Sequence, residues 1–446
     1  MTQDFININR LNYHTEDNYA RIKSELTDLL DIPEARINAA ALLALLFGEV
    51  HSLNTEGENP LTVIINAEVQ NPSESAVNEN ILIYKDKILA FGSDMPFELP
   101  NDADGLYIIN AEGMIISPGL IDQHIHGGYG CDFNVSEQEE IVKILKNLPK
   151  NGITSIIPTV MTASEDIIKR QIQVIKTVKE NTIINGTRIL GIHLEGPYLS
   201  QEYKGIQPES YIIKPDVESF KRIEDPEIKI LSYAPELDEG FKLTRYLSDK
   251  GIIPSAGHSK AYHLQIREAV NFGLKHLTHL FNAMTPLHHR EPGIIGEGLV
   301  NDDLAVEIIA DGVHLDPVII ELVLRIKPDS KVVFISDSLP LNSAECSCMD
   351  FGGQMVYKKE NMAVNESGTM AGSLKFLDYS AEKLSDLRIN GFSKFIRYSS
   401  QNIAQNIGRD DLGFIAGGMK ADLVFWSKEH KVLRTIISGK TVFKSE

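Results

Sequence analysis

The 446-residue sequence predicts an α/β protein: a (β/α)8 TIM-like barrel, a small β-sandwich domain built from both ends of the core chain, and an N-terminal helical extension. Three observations predict it. Apolar strand candidates alternate with amphipathic stretches through the centre of the chain, the rhythm of strand–helix units that close on a parallel sheet. Short strands stand on both sides of that centre. Histidines and carboxylates recur where the central strands end, the face on which barrel enzymes build their sites.

Residues 1–57 stand apart. Leu26, Leu29, Leu30, Ile37, Ala41, Leu42 and Leu45 recur at helical spacing on either side of Pro33, and Gly57-Glu58-Asn59-Pro60 reads as a linker. The small β domain takes 58–115 together with 411–446. Its strands are expected at Leu61–Asn66, Ile81–Tyr84, Lys87–Phe91, Tyr107–Asn110, Ala421–Trp426 and Val432–Phe443, the last turning at Ser438-Gly439. The barrel takes 116–410. Its strand candidates are Met114–Ile121, Ile153–Val160, Ile189–Leu194, Ile228–Ala234, Ile252–Ser255, His276–Phe281, Ala305–Ile309 and Lys331–Ile335. Ser136–Lys150, Ser164–Glu180 and Lys260–Phe272 are the clearest helices between them. A doubly wound sheet is the competing fold, but no glycine-rich phosphate fingerprint follows the first strand.

Composition narrows the partners. The 43 Lys and Arg against 62 Asp and Glu give a formal charge of −19 at pH 7. Nucleic acid and anionic membrane both call for a cationic face, so neither is expected. A local pocket for a small phosphate is compatible with that charge. The longest apolar run, Ala39–Phe47, is far short of the roughly 18 residues that span a bilayer. The first residues carry Asp4 and Asn7 instead of a basic stretch, so no secretory signal is read. Cys131, Cys346 and Cys348 cannot close a disulfide framework and read as reduced thiols of a cytoplasmic protein.

The chemistry lies in the placement of polar residues. His124 and His126 end the first barrel strand and Glu195 ends the third. His258 follows the fifth, His279 lies in the sixth, His314 follows the seventh, and Asp337 ends the eighth. One such histidine would more often be structural, whereas seven polar residues on one rim are not coincidence. Imidazole nitrogen and carboxylate oxygen suit Zn2+ or Fe2+. Alternation along a strand turns His124 and His126 to the same side. His193 reads as a supporting residue behind Glu195, and His288 and His289 as surface or supporting residues.

Ser117–Gly128 (SPGLIDQHIHGG) resembles the opening motif of the amidohydrolase superfamily. Gly191–Leu199, Gly257-His258-Ser259, His276–Gly296, Ala310–His314 and Met370–Ser373 together resemble its N-acetylglucosamine-6-phosphate deacetylase family, over about residues 60 to 446. That resemblance implies metal-assisted removal of an acetyl group from an amino-sugar phosphate by a cytoplasmic homodimer. It implies that Glu195, His258 and His279 hold a principal divalent metal, and that His124 and His126 hold a second, with Glu195 between them. The metal is Zn2+ or Fe2+, one or two per subunit. Asp337 falls at the catalytic aspartate. Ile206, Gln207, Asn282, Ala283, Arg290, His314 and the loop Met370, Ala371, Gly372 and Ser373 fall at substrate positions, with Arg290 suited to a phosphate dianion.

Two departures bear on substrate. Gln207 stands twelve residues after Glu195, where the family has a histidine that polarises the acetyl carbonyl. An amide can donate there but cannot become cationic. The eighth-strand motif reads Ile335-Ser336-Asp337-Ser338-Leu339, which keeps the aspartate and changes its neighbours. Two alternatives stay open: the N-acetylgalactosamine 6-phosphate isomer as substrate, and a non-catalytic sugar-phosphate-binding relative.

Overall fold

Parallel strands buried on both faces read as near-continuous apolar runs, and such runs form the larger part of this protein. The computed structural model describes residues 60–92, 105–180, 185–385 and 391–445. The helical extension expected over 1–57 lies outside the described residues. Two compact units result, one taking the described residues up to Gly119 and those from Asp410, the other Leu120–Arg409.

The larger unit is the barrel. Its strands, in chain order, are β1 (Leu120–Ile125), β2 (Ile153–Met161), β3 (Ile192–Glu195), β4 (Ile228–Tyr233), β5 (Ile253–Ala256), β6 (His276–Leu277), β7 (Ala305–Ile309) and β8 (Val332–Ile335). Each pairs in parallel with the next. Closure falls between β8 and β1: the Asp337 amide donates to His124 O at 2.9 Å and the His126 amide to Ser338 O at 2.9 Å. The two ends of the sheet therefore meet at residues expected in the site.

Helices cover the sheet through apolar stripes. In Glu165–Glu180 the buried residues Ile168, Ile172, Ile175 and Val178 lie three or four apart. Pro317–Ile326 starts with proline in its first turn and Asp316 accepting from the Val318 amide at 2.8 Å, two features that favour a helix start. Among the described residues no helix is long and apolar enough to cross a membrane.

An antiparallel four-stranded sheet follows β8: Cys348–Phe351, Gln354–Lys359, Met362–Asn365 and Met370–Gly372. Phe351, Val356 and Ala363 pack with Met161, Ile206, Leu339 and Leu341, which seats it at the strand ends. Met349 packs against this cluster, whereas Met355 is 37% exposed. All three cysteines are free thiols.

The smaller unit is one eight-stranded sheet. Ile115–Pro118 joins its two halves, pairing in parallel with Pro60–Gln70 and antiparallel with Leu423–Trp426. Ile64, Ile81, Ile83, Ile116, Leu423 and Phe425 share its core. Asn71 is 1% exposed and fully used, donating to Ile415 O and accepting from the Ile415 amide. The single strand expected over Met114–Ile121 is corrected here: it divides at Gly119. Gly119 N bonds to Asp422 O, whereas Leu120 N bonds to Gly152 O, so the partner strand changes within one residue.

Candidate active site

Backbone leaving a barrel strand must turn at once, and three residues of the rim do so in the left-handed region: His258 at φ 46°, His279 at 29° and Asp337 at 50°. Non-glycine residues rarely adopt it, and such strain gathers at functional sites. His279 was expected within β6. The strand stops at Leu277, and His279 lies two residues beyond it, turned by that positive φ.

The floor of the site is a tight cluster. Glu195 Oε1 lies 3.1 Å from His258 Nε2, 3.0 Å from His279 Nε2 and 3.4 Å from His124 Nε2. Its other oxygen, Oε2, lies 3.3 Å from His126 Nε2. Asp337 Oδ1 sits 3.3 Å from His126 Nε2 and 3.6 Å from His124 Nε2. All six side chains are buried. Donor atoms within 4.8 Å of one another define a group of Glu195, His258 and His279 and a second of His124, His126 and Asp337.

The donor chemistry fits divalent cations. The Nε2 atoms of His258 and His279 approach to 3.1 Å, a contact that two lone pairs do not make without a proton or cation between them. His258 donates its Nδ1 proton to Tyr203 O at 2.8 Å, which turns Nε2 toward Glu195 and His279. His124 Nε2 is buried with no hydrogen-bond partner among the described residues. Imidazole and carboxylate without thiolate suit Zn2+ or Fe2+.

Charge follows the same plan. Burial pushes the His126 imidazole down, but the hydrogen bonds it donates to Asp337 and Glu195 outweigh it and raise its pKa to about 9. Burial raises the Glu195 carboxyl, yet the imidazoles of His258, His124 and His126 hold it well below the usual range. Asp337 is likewise held down by His126 and His124 against burial. The floor thus attracts positive charge. His193 behaves oppositely: burial and the nearby His124 push it down to about 3, so it stays neutral.

Above the floor opens a cavity of about 330 Å3. Of the expected substrate residues, Ile206, Gln207, Asn282, Ala283, His314, Met370, Ala371 and Gly372 line it. Gly372, at φ 153°, needs to be glycine, because a Cβ would come within 2.8 Å of Asp337 O. Ser373 lies behind the wall, donating to Asp311 Oδ2 at 2.8 Å; that oxygen also bonds to His314 Nδ1 at 2.8 Å. Arg290 is exposed and is not part of the wall. Among the described residues the wall carries no lysine or arginine.

Gln207 is committed to the floor. Its Nε2 donates to Glu195 Oε2 at 2.5 Å and its Oε1 accepts from the Thr162 amide at 2.9 Å. Sequence reasoning passed over Glu307 and Asp311. Glu307 lies inside β7 and bonds to His124 Nδ1 at 3.0 Å; the available signal was a carboxylate within the apolar run Ala305–Ile309.

Residues 115–442 match the model of the Amidohydrolase family. The N-acetylglucosamine-6-phosphate deacetylase of Bacillus subtilis (strain 168) is 36% identical over 339 residues, 74% of this chain and 85% of that protein. The crystal structure of N-acetylglucosamine-6-phosphate deacetylase from Thermotoga maritima matches with a TM-score of 0.76 at 30% identity, covering 86% of this chain and 100% of that one. A mutant of N-acetyl-D-glucosamine-6-phosphate deacetylase from Mycobacterium smegmatis, in complex with N-acetyl-D-glucosamine-6-phosphate, matches at 0.77 and 25% identity, covering 87% and 100%. With the rim of histidines and carboxylates and a family match spanning most of its length, the chain belongs to the amidohydrolase family.

Proposed function

We propose that this chain hydrolyses N-acetylglucosamine 6-phosphate to glucosamine 6-phosphate and acetate. The observation that carries the reading is the junction of two ligand groups and Asp337 at the floor of one cavity. The similarity to deacetylases of that sugar phosphate supports the substrate.

Glu195, His258 and His279 would hold one Zn2+ or Fe2+, and His124 and His126 a second, with Glu195 between them. A divalent ion there supplies a water of lowered pKa and polarises the acetyl oxygen. Asp337 accepts the proton of the attacking water, then returns it to the amine nitrogen as the carbon–nitrogen bond breaks. Without that return the leaving group would be an amide anion. Asn282, Ala283 and His314 orient the sugar, and Met370, Ala371 and Gly372 close over it. Gln207 holds Glu195 in place, its amide spent on Glu195 and the Thr162 amide.

A phosphate dianion needs a cation, and among the described residues the wall has no lysine or arginine. Arg290 lies on the segment that leaves the cavity after Ala283, and a homodimer in which Arg290 of the partner subunit reaches the phosphate meets that need. The three free thiols agree with a cytoplasmic setting.

Acetate release tests the proposal, measured on N-acetylglucosamine 6-phosphate, its galacto isomer and unphosphorylated N-acetylglucosamine. The expected order is the gluco phosphate first and the unphosphorylated sugar last. Preference for the galacto isomer would reassign the sugar. Tight binding without acetate release would leave a sugar-phosphate-binding protein.

A further inference from the structure

One layer below the floor the barrel interior is polar, where packed barrels carry mostly branched aliphatic side chains. Gln123, His193, Ser232, Ser255, His276, Thr278 and Glu307 are all at most 1% exposed. Their hydrogen bonds form a circuit with one direction. The Gln123 amide nitrogen donates to Glu307 Oε1 at 2.8 Å and reaches His276 Nε2 at 3.1 Å. His276 Nδ1 meets Ser255 Oγ at 3.0 Å, Ser255 meets Thr278 Oγ1 at 2.6 Å, and Thr278 meets Ser232 Oγ at 2.6 Å. Ser232 Oγ meets His193 Nε2 at 2.7 Å, and His193 Nδ1 returns to Gln123 O at 3.2 Å. An amide nitrogen only donates and a carbonyl only accepts, so the circuit has one proton arrangement from its first atom to its last.

Glu307 is where this layer meets the floor. Its three neighbours are all donors: Gln123 Nε2, the His279 amide at 3.1 Å, and His124 Nδ1 at 3.0 Å. An ionised carboxylate accepts from all three, whereas an amide would set its own N–H groups against a donor. His124 then carries a proton on Nδ1, and Nε2, facing the rim, is the nitrogen left for a cation.

We propose that Glu307 is a positioning residue for the second metal position: it fixes the tautomer and ring plane of His124, and the circuit through Gln123 fixes Glu307. The proposal rests on reading His124 as a ligand.

The test counts ions. Wild type, Glu307→Gln, His124→Asn and Ser255→Ala are loaded with Co2+, titrated by cobalt absorption and analysed for metal per chain. Wild type should hold two ions. Glu307→Gln should weaken one by about 10–100-fold and leave the cobalt spectrum of His124→Asn. Ser255→Ala breaks the circuit away from Glu307 and should weaken the same ion by less than Glu307→Gln does. Unchanged affinity in Glu307→Gln, with an ion lost in His124→Asn, overturns the proposal. Equal loss in Ser255→Ala also overturns it, because the effect would then belong to the whole layer. If His124→Asn keeps both ions, the ligand reading itself has failed. Should Glu307→Gln not fold, Gln123→Leu leaves the carboxylate with one donor fewer and should weaken the same ion by less; wild-type affinity there would refute the circuit's role.

Discussion

At the floor of the cavity the polar side chains are buried and interlocked: four imidazoles face Glu195, Asp337 sits beside two of them, and Glu307 supports His124 from beneath. Along the wall, Asn282 and Ala283 are half-buried, Glu202 and Thr369 are exposed, and the nearby Arg290 is exposed as well. The floor stands on strand ends. The wall is made of segments beyond the strand ends, with Phe351 and Met370–Gly372 from the four-stranded sheet, and carries no cation of its own among the described residues. Chemistry placed on a rigid scaffold and recognition placed on the segments beyond it is the division expected of barrel enzymes, and it predicts that damage to floor and wall will read out differently.

The largest effect should follow Asp337→Asn. It removes the proton acceptor and should lower kcat by about 10²–10⁴-fold with KM little changed; turnover within tenfold of wild type would take Asp337 out of the proton path. Arg290→Ala should act on phosphate recognition alone. A lost charged hydrogen bond of about 1.5–3 kcal/mol should raise KM for the sugar phosphate and leave the unphosphorylated sugar unaffected. Equal loss on both substrates would contradict a phosphate role.

A third test probes the floor through stability. His193 has its pKa pushed down to about 3 in the folded protein, against about 6.5 unfolded. Below pH 6.5 the unfolded chain takes up a proton that the folded one refuses. The stabilisation is full above pH 6.5 and is lost as pH falls toward 3. Between pH 6.5 and 5 the loss is about 2 kcal/mol. Urea unfolding of metal-free wild type and His193→Gln should show the wild-type advantage shrinking by that amount as pH falls from 6.5 to 5; a parallel decline would clear His193. The smallest effect belongs to Gln207→Leu. Losing its bond to the ionised Glu195 should cost about 1.5 kcal/mol, read as a lower melting temperature and weaker metal retention, with KM unmoved. A rise in KM alone would return Gln207 to the wall.

Much of this was legible in the residues. The rim could be read because metal-ligating side chains interrupt apolar strands at their carboxyl ends, as at His124, Glu195 and Asp337. The period of apolar residues could not say where a strand changes partners, so the division at Gly119 went unread. Nor could it show that His279 turns through a positive φ after a strand of two residues. The sheet after β8 was missed although Gly352-Gly353, both at positive φ, form the two-residue turn of a hairpin. Glu307 escaped because its meaning lies in its neighbours. Its donors come from β1 and from the turn after β6, far away in sequence.

The central claim is that the floor is built for two ions. Anomalous diffraction from crystals grown with Zn2+ tests it most directly. Two peaks are predicted, one between Glu195, His258 and His279 and the other among His124, His126 and Asp337, with His124 Nε2 on the second. A single peak at the first group, with His124 turned away from it, would contradict the account.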